Sequence, residues 1–170
     1  SQTQDFQKTL RIIWNQSIQT FKPPKKLKVS EWADNHRVLT SESSAEAGQW
    51  KTSRAEYQRG IMDTLNDRDI ETIVIMSSAQ VGKTEILLNI LGYHIAHDPA
   101  PMLVVMPTLE MARAFSTQRL SKMITASDAL RGKVKDSKSR DSGNTILSKS
   151  FGGSFVVISG SNSPASLSSR

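Results

Sequence analysis

The residues best suited to chemistry lie in segment 77–84, SSAQVGKT, where small polar residues lead into a Gly-Lys-Thr triplet. An apolar run precedes this segment and apolar residues with helical spacing follow it. This order predicts a strand, a loop and a helix. Such a loop binds phosphate groups, because its consecutive N–H groups point inward and the positive end of the helix adds to their field. We therefore expect a nucleotide to bind here.

Each residue of the Gly-Lys-Thr triplet has a role in this interpretation. Gly82 lets the backbone approach the phosphates, because a β-carbon would collide with them. Lys83 is expected to reach the β- and γ-phosphates, and the Thr84 hydroxyl to ligate Mg²⁺. Ser77 replaces the usual first glycine, but this position ends the strand, so a small residue can serve. The expected binding residues are Ser77, Ser78, Ala79, Gln80, Val81, Gly82, Lys83 and Thr84, with Lys83 and Thr84 the expected catalytic residues.

Tyr57 and Gln58 lie about twenty residues before the loop, and they favour a nucleotide with an adenine base. Tyr57 offers a ring that can stack on a base. The Gln58 amide can both donate to and accept from an adenine edge. Without the loop, the simpler interpretation places Tyr57 in the core and Gln58 on an exposed helix surface. With the loop present we expect adenine recognition, and hence ATP and Mg²⁺ as cofactors.

Apolar periodicity predicts the elements that must position these residues. The β-loop-α-β-α order around the loop indicates a parallel sheet covered by helices. Residues 145–159 predict two strands joined by a Gly-Gly turn. Ser30 is expected to cap the first helix of the body. The predicted helices cover 30–37, 55–66, 83–97 and 109–124, and the predicted strands cover 71–77 and 102–106.

The first 29 residues are predicted to form an arm separate from a domain over 30–170. Residues 3–21 place six apolar side chains on one helical face, and Pro23-Pro24 among four lysines then interrupts the helix. This face either docks on a partner or packs back on its own domain, and the sequence leaves both open. The six residues are Phe6, Leu10, Ile13, Trp14, Ile18 and Phe21.

The charge of the chain favours contact with a polyanion. The formal net charge is +6, and segment 131–140, RGKVKDSKSR, has five cations and one acid. These cations either follow a DNA backbone or belong to a solvated loop, and both interpretations stay open. In the first interpretation, the residues that contact DNA are Lys133, Lys135, Lys138 and Arg140.

Other composition features exclude several classes of site. The chain has no cysteine, which excludes disulfides and thiolate-bound metals. His94 and His97 lie at a predicted helix end, where a cation opposite the helix dipole is commoner than a metal ligand. No apolar run reaches the ~18 residues needed to cross a bilayer, and no signal peptide opens the chain. We expect a soluble protein inside the cell, without a membrane partner.

Four blocks in this order, RAEYQRGIMDTL, SSAQVGKT, MPTLEMARAFSTQRLSKMI and GSNSPASLSSR, resemble the N-terminal ATPase region of the lambda-type large terminase subunit of tailed bacteriophages. The resemblance covers about residues 30–170. It implies an α/β P-loop NTPase fold of the additional-strand, RecA/helicase-like type, with a mostly parallel sheet flanked by helices. It also implies an ATP-driven motor that packages double-stranded DNA into procapsids, with a nuclease in a separate C-terminal domain.

The resemblance assigns roles to single positions. It assigns the binding of phosphate and Mg²⁺ to Lys83 and Thr84, and the binding of the adenine to Tyr57 and Gln58. The arm would engage the small terminase subunit, and the segment MPTLEMARAF is similar to one that faces DNA in helicase-like motors. Arg170 lies where terminases often carry an arginine that acts on a neighbouring subunit's ATP. A portal and procapsid, other copies of the chain and the host cytoplasm are also implied.

Hydrolysis also needs a strand that ends in Asp-Glu, for the Mg²⁺ shell and the attacking water. None of the 16 acidic residues is adjacent to another, so we expect that strand beyond residue 170. The chain alone should then hydrolyse ATP poorly, and the acidic cluster of a two-metal nuclease is missing too. Two alternatives remain: another P-loop translocase or helicase, or an assembly module with a vestigial nucleotide site.

Overall fold

The computed structural model describes residues 7, 11, 14, 26–42, 46–134 and 146–162. These residues form an α/β arrangement with a two-stranded and a three-stranded sheet. The helices are α1 Val29–His36, α2 Tyr57–Asp63, α3 Lys83–Ala96, α4 Leu109–Ala114 and α5 Ser121–Ala126, with a π-helical segment Phe115–Leu120 between α4 and α5 and 3₁₀ turns at Thr52–Ala55 and Thr64–Asn66. The strands are β1 Val38–Leu39, β2 Gly48–Gln49, β3 Met102–Met106, β4 Ser148–Phe151 and β5 Ser154–Gly160.

The larger sheet has the order β3-β5-β4. Strands β3 and β5 are parallel, with Met102 opposite Val156 and Met106 opposite Gly160. Strand β4 runs antiparallel to β5, and the turn between them is made by Gly152 and Gly153, both at positive φ. The predicted strand over 102–106 and the Gly-Gly hairpin are therefore confirmed, and one of the two strand pairs of this sheet is parallel.

One face of the larger sheet belongs to the hydrophobic core. Val104, Phe151, Val156 and Ile158 are buried on this face, together with apolar side chains of α1, α2, α3 and the helices after β3. Leu103 points to the other face and is 60% exposed. Strand β3 alternates as expected of a strand with one covered face, whereas the central strand β5 is buried at Val157 on the other face as well. The core therefore lies between one face of the sheet and the helices.

Helix α1 packs against α3, and its N-terminus is held by α2. The Val29 N–H donates to Asn66 Oδ1 at 3.0 Å and the Ser30 N–H to Asp63 Oδ1 at 3.1 Å. The expected capping role of Ser30 is wrong, because the helix begins one residue earlier and side chains of the α2 region take that role. The predicted helices over 55–66, 83–97 and 109–124 are confirmed within a few residues.

The predicted strand over 71–77 is not formed within the described residues. Residues 71–78 carry neither helix nor strand, and Val74 and Met76 are 85% and 97% exposed. A strand exists only where a neighbouring backbone completes its hydrogen bonds. The parallel neighbour of β3 is β5 rather than 71–77, so this apolar segment has no pairing strand in the described part of the chain.

Several predicted features lie outside the described residues. In the arm's predicted helix over 3–21, only Gln7, Arg11 and Trp14 are described; they are helical and exposed. The other apolar residues of the arm's predicted face lie outside, as do Lys135, Lys138, Arg140 and Arg170. Among the described residues, every helix is too short or too polar to pass through a lipid bilayer.

Candidate functional site

The loop before α3 contains two residues in the left-handed backbone conformation. Gln80 has φ of 61° and Gly82 has φ of 79°. The Gly82 carbonyl accepts the first helical hydrogen bonds, from Glu85 N at 2.9 Å and Ile86 N at 3.1 Å. A loop that turns successive N–H groups toward one concavity suits an anion. The loop and the helix start therefore supply backbone donors and a positive helix end at one place.

The Lys83 side chain folds back across this loop. Its Nζ donates to the Ser78 carbonyl at 2.7 Å, to the Ser77 carbonyl at 3.3 Å and to Ser77 Oγ at 3.2 Å. The serine at the usual glycine position thus contributes a hydroxyl that glycine would lack. The ammonium is exposed, so an anion in the loop can reach it and replace these carbonyl contacts. Thr84 is also exposed on the first turn of α3.

Helix α2 contacts the loop through the two residues that the sequence singled out. The Tyr57 hydroxyl donates to the Val81 carbonyl at 2.8 Å, and Gln58 Nε2 donates to the same oxygen at 3.2 Å. Tyr57 is 60% exposed and Gln58 only 3%. The alternative with Tyr57 in the core and Gln58 on the surface is therefore wrong. Gln58 is a buried contact of the loop, and its Oε1 accepts no hydrogen bond from any residue that the structure describes.

An apolar cavity of about 410 Å³ lies between α2 and the loop. Tyr57 and Lys83 both line this cavity, so it adjoins the phosphate-binding residues. A largely apolar wall with a few polar groups is what a nucleotide base requires. The cavity is lined by Tyr57, Ile61, Ile75, Met76, Ser77, Val81, Lys83 and Ile86.

The first turn of α3 is held by Arg37, a residue that the sequence analysis did not single out. Its guanidinium donates to the Glu85 carboxylate, to the Glu85 carbonyl at 3.1 Å and to Asn89 Oδ1 at 2.6 Å. It lies over the Trp50 ring at 4.7 Å and is 2% exposed. Burial lowers the pKa of Arg37, and the Glu85 carboxylate opposes that shift. Arg37 thus fastens the helix that carries Lys83 and Thr84.

Two further polar residues join this network. Asn89 is fully buried in α3 and donates to Met62 Sδ of α2 at 3.2 Å. Arg119, in the π-helical segment, lies 3.8 Å from the Glu85 carboxylate. Such segments occur often at functional sites. A lone Asn in the apolar stretch ILLNILGY was the one sequence signal that could have revealed the network.

The remaining candidates contribute little at this site. His97 Nε2 accepts from the Leu27 N–H at 3.1 Å, and His94 Nδ1 contacts the Asp98 carbonyl at 2.9 Å. The described residues contain no cluster of potential metal ligands. Of the basic segment 131–140, the described cations are Arg131, which pairs with Asp128, and Lys133, which is exposed.

Two comparisons with known proteins found similar sequences. Residues 44–170 match the family described as "Phage terminase large subunit gpA, ATPase domain". The chain is 36% identical over 92 residues to "Terminase, large subunit" of Enterobacteria phage P21, and these cover 54% of this chain and 14% of that protein. It is 35% identical over 78 residues to the protein of the same name of Escherichia phage lambda, with 46% and 12% covered. No solved structure matches the chain.

Proposed function

Because this chain belongs to the family of phage terminase large subunit gpA ATPase domains, we propose that it binds ATP with Mg²⁺ at segment 77–84. The observation that carries the proposal is the conjunction of the left-handed loop, the Lys83 ammonium and the start of α3. All three favour an anion at the same point. The fold is then that of a P-loop NTPase, and the described α/β elements are consistent with it.

The polar groups at this loop fit a nucleoside triphosphate. Lys83 exchanges its contacts with Ser77 and Ser78 for the β- and γ-phosphates, since charged oxygens are better acceptors than peptide carbonyls. The Thr84 hydroxyl, exposed beside Lys83, supplies an oxygen ligand for Mg²⁺. Bound Mg²⁺ would neutralise phosphate charge. Tyr57 lines the apolar cavity, where its ring would stack on the adenine.

Water activation requires a carboxylate that the described site does not offer. Glu85 is the acidic residue nearest to Lys83 in sequence, but Arg37 holds its carboxylate and Arg119 lies beside it. A carboxylate already engaged by two guanidinium groups is not free to orient an attacking water. We therefore assign the Mg²⁺-holding Asp and the catalytic Glu to another part of the full-length protein, and we expect this segment alone to turn over ATP slowly.

The chain spans only a small part of its relatives' length, 14% and 12% in the two alignments, so the role of the whole protein is also part of the proposal. We assign to it the packaging of double-stranded DNA into procapsids, in an oligomeric motor with a small terminase subunit bound at the arm and a portal. A nuclease would lie outside this chain. Lys133, together with Lys135, Lys138 and Arg140, would contact DNA, and Arg170 would act on a neighbouring subunit's ATP.

Titration of the intact protein with ATP and Mg²⁺ tests the nucleotide site. Lys83→Ala should weaken binding at least about tenfold, because one charge-assisted contact to phosphate is lost. Lys122→Ala is the matched control, since Lys122 is a surface lysine paired with Glu42 and should bind as the wild type does. Equal affinities for the wild type and Lys83→Ala would disprove the site.

A further inference from the structure

The peptide unit between Val81 and Gly82 is fixed from one side by two donors. Its carbonyl oxygen accepts from the Tyr57 hydroxyl at 2.8 Å and from Gln58 Nε2 at 3.2 Å. A carbonyl oxygen has two lone pairs, so these two donors fill its accepting capacity. The unit is trans, as are all described peptide bonds. In a planar trans unit the N–H points opposite to the C=O, so the Gly82 N–H faces away from α2.

The contact also explains why residue 82 is glycine. A β-carbon there would lie 2.5 Å from Gln58 Nε2, and φ of 79° already disfavours other residues. Any side chain at position 82 would therefore displace the Gln58 amide from its contact with the loop. Gln58 is 3% exposed, which keeps its amide in this place.

The geometry points to a positioning role for Tyr57 and Gln58: they hold the Val81–Gly82 peptide so that the Gly82 N–H is aimed at the phosphates of the nucleotide. This rests on the proposed function, and it changes the role of Gln58 within it. Reading an adenine edge needs a donor and an acceptor together. Nε2 donates one of its two hydrogen bonds to Val81, and Oε1, the acceptor that an adenine edge would need, is buried. The Gln58 amide thus acts on the phosphate loop and not on the base.

Three probes separate phosphate positioning from base recognition: inorganic tripolyphosphate, ATP and GTP, each titrated with Mg²⁺ into the intact protein. Tyr57→Phe removes the hydroxyl and keeps the ring, whereas Gln58→Met removes both amide atoms at similar volume. Each variant should weaken all three probes by the same factor, about three- to tenfold for the loss of one hydrogen bond that orients the loop. The double variant should lose more than either single one.

A thermal denaturation curve without ligand shows that positioning, and not unfolding, is the cause. The Tm of Gln58→Met should stay close to that of the wild type, because the lost hydrogen bond is offset by removal of the unpartnered Oε1. Tyr57→Phe changes an exposed side chain, and its Tm provides a second measurement of whether stability is retained.

Two results overturn the inference, and they differ from each other. If the variants bind tripolyphosphate as the wild type does but lose preference for ATP over GTP, Tyr57 and Gln58 recognise adenine, while the nucleotide site itself stands. If the wild type and Lys83→Ala bind tripolyphosphate equally weakly, the proposed function fails and the positioning role falls with it.

Discussion

The guanidinium of Arg37 donates to the carboxylate of Glu85, and this contact ties the end of α1 to the first turn of the helix that follows the phosphate loop. Arg37 is buried under the Trp50 ring, and Glu85 lies two residues after Lys83. An acid in the first turn of a helix also opposes the positive charge of the helix end. The loop is therefore supported on two sides, by α2 at Val81 and by Arg37 at Glu85.

Arg37→Met should lower the free energy of unfolding by about 3 kcal/mol, because removal of one partner leaves the Glu85 carboxylate and the side-chain oxygen Oδ1 of Asn89 without the Arg37 donor. Glu85→Gln should cost less, since the amide oxygen still accepts and the side chain is partly exposed. The double variant should cost less than the sum. Urea denaturation measures all three values.

Arg54→Met is the control for this series, because the Arg54–Glu46 pair is on the surface, with side chains 50% and 67% exposed. Its effect should stay below about 1 kcal/mol. If Arg37→Met were as mild as Arg54→Met, the buried network would not support α3.

Gly92→Ala should destabilise the protein by about 2 kcal/mol, because an added β-carbon would overlap the Trp32 ring where α1 packs on α3. Gly60→Ala, in α2, is the matched control. Nothing lies within 4 Å of a β-carbon there, so alanine should stabilise the helix by up to ~1 kcal/mol. Thermal denaturation compares the two. Equal shifts in Tm would show that α1 does not pack against Gly92.

Much of the fold could be predicted from local patterns. Helix α3 and strand β3 follow from apolar periodicity, and the Gly152-Gly153 turn follows from the left-handed preference of glycine. The segment 71–77 has the same apolar signal as β3 but forms no strand in the described part of the chain. Strand formation depends on a partner distant in sequence, which composition alone does not supply.

The candidate site, like the fold, could be predicted from the sequence only in part. The triplet at 82–84 carries its chemistry in consecutive residues, so its interpretation needed no tertiary information. The contact between Arg37 and Glu85 joins residues 48 positions apart, and neither residue type is unusual where it stands. The exposure of Tyr57 and burial of Gln58 were likewise decided by packing, because both residues occur on helix surfaces and in cores.

Gln80 is the only non-glycine residue with positive φ in the described part of the chain, and this predicts opposite effects for two substitutions. Gln80→Gly should leave tripolyphosphate binding unchanged or tighter, because glycine adopts φ of 61° without strain. Gln80→Val should weaken it, since a β-branched residue opposes this conformation by roughly 1–2 kcal/mol. The measurement is titration with tripolyphosphate and Mg²⁺. Equal binding by both variants would mean that the loop does not use a left-handed residue at this position.

Lys149→Met should stabilise the protein at neutral pH, and the gain should shrink as the pH rises. Lys149 is 8% exposed in β4, and burial lowers its pKa below the ordinary value of 10.5. Between the lowered pKa and 10.5 the unfolded chain binds more protons than the folded one, so the stability of the wild type rises with pH across that window. Methionine keeps the volume and removes the charge that burial penalises.

The check on this prediction is the difference in Tm between Lys149→Met and the wild type, measured from pH 7 to about pH 10.5, the ordinary pKa of lysine. Lys122→Met provides the control, because Lys122 lies on the surface, with its side chain 40% exposed. Its difference from the wild type should change little over that range. A Lys149→Met difference that also stays constant would mean that the Lys149 ammonium reaches water in the folded protein, so that its burial costs nothing.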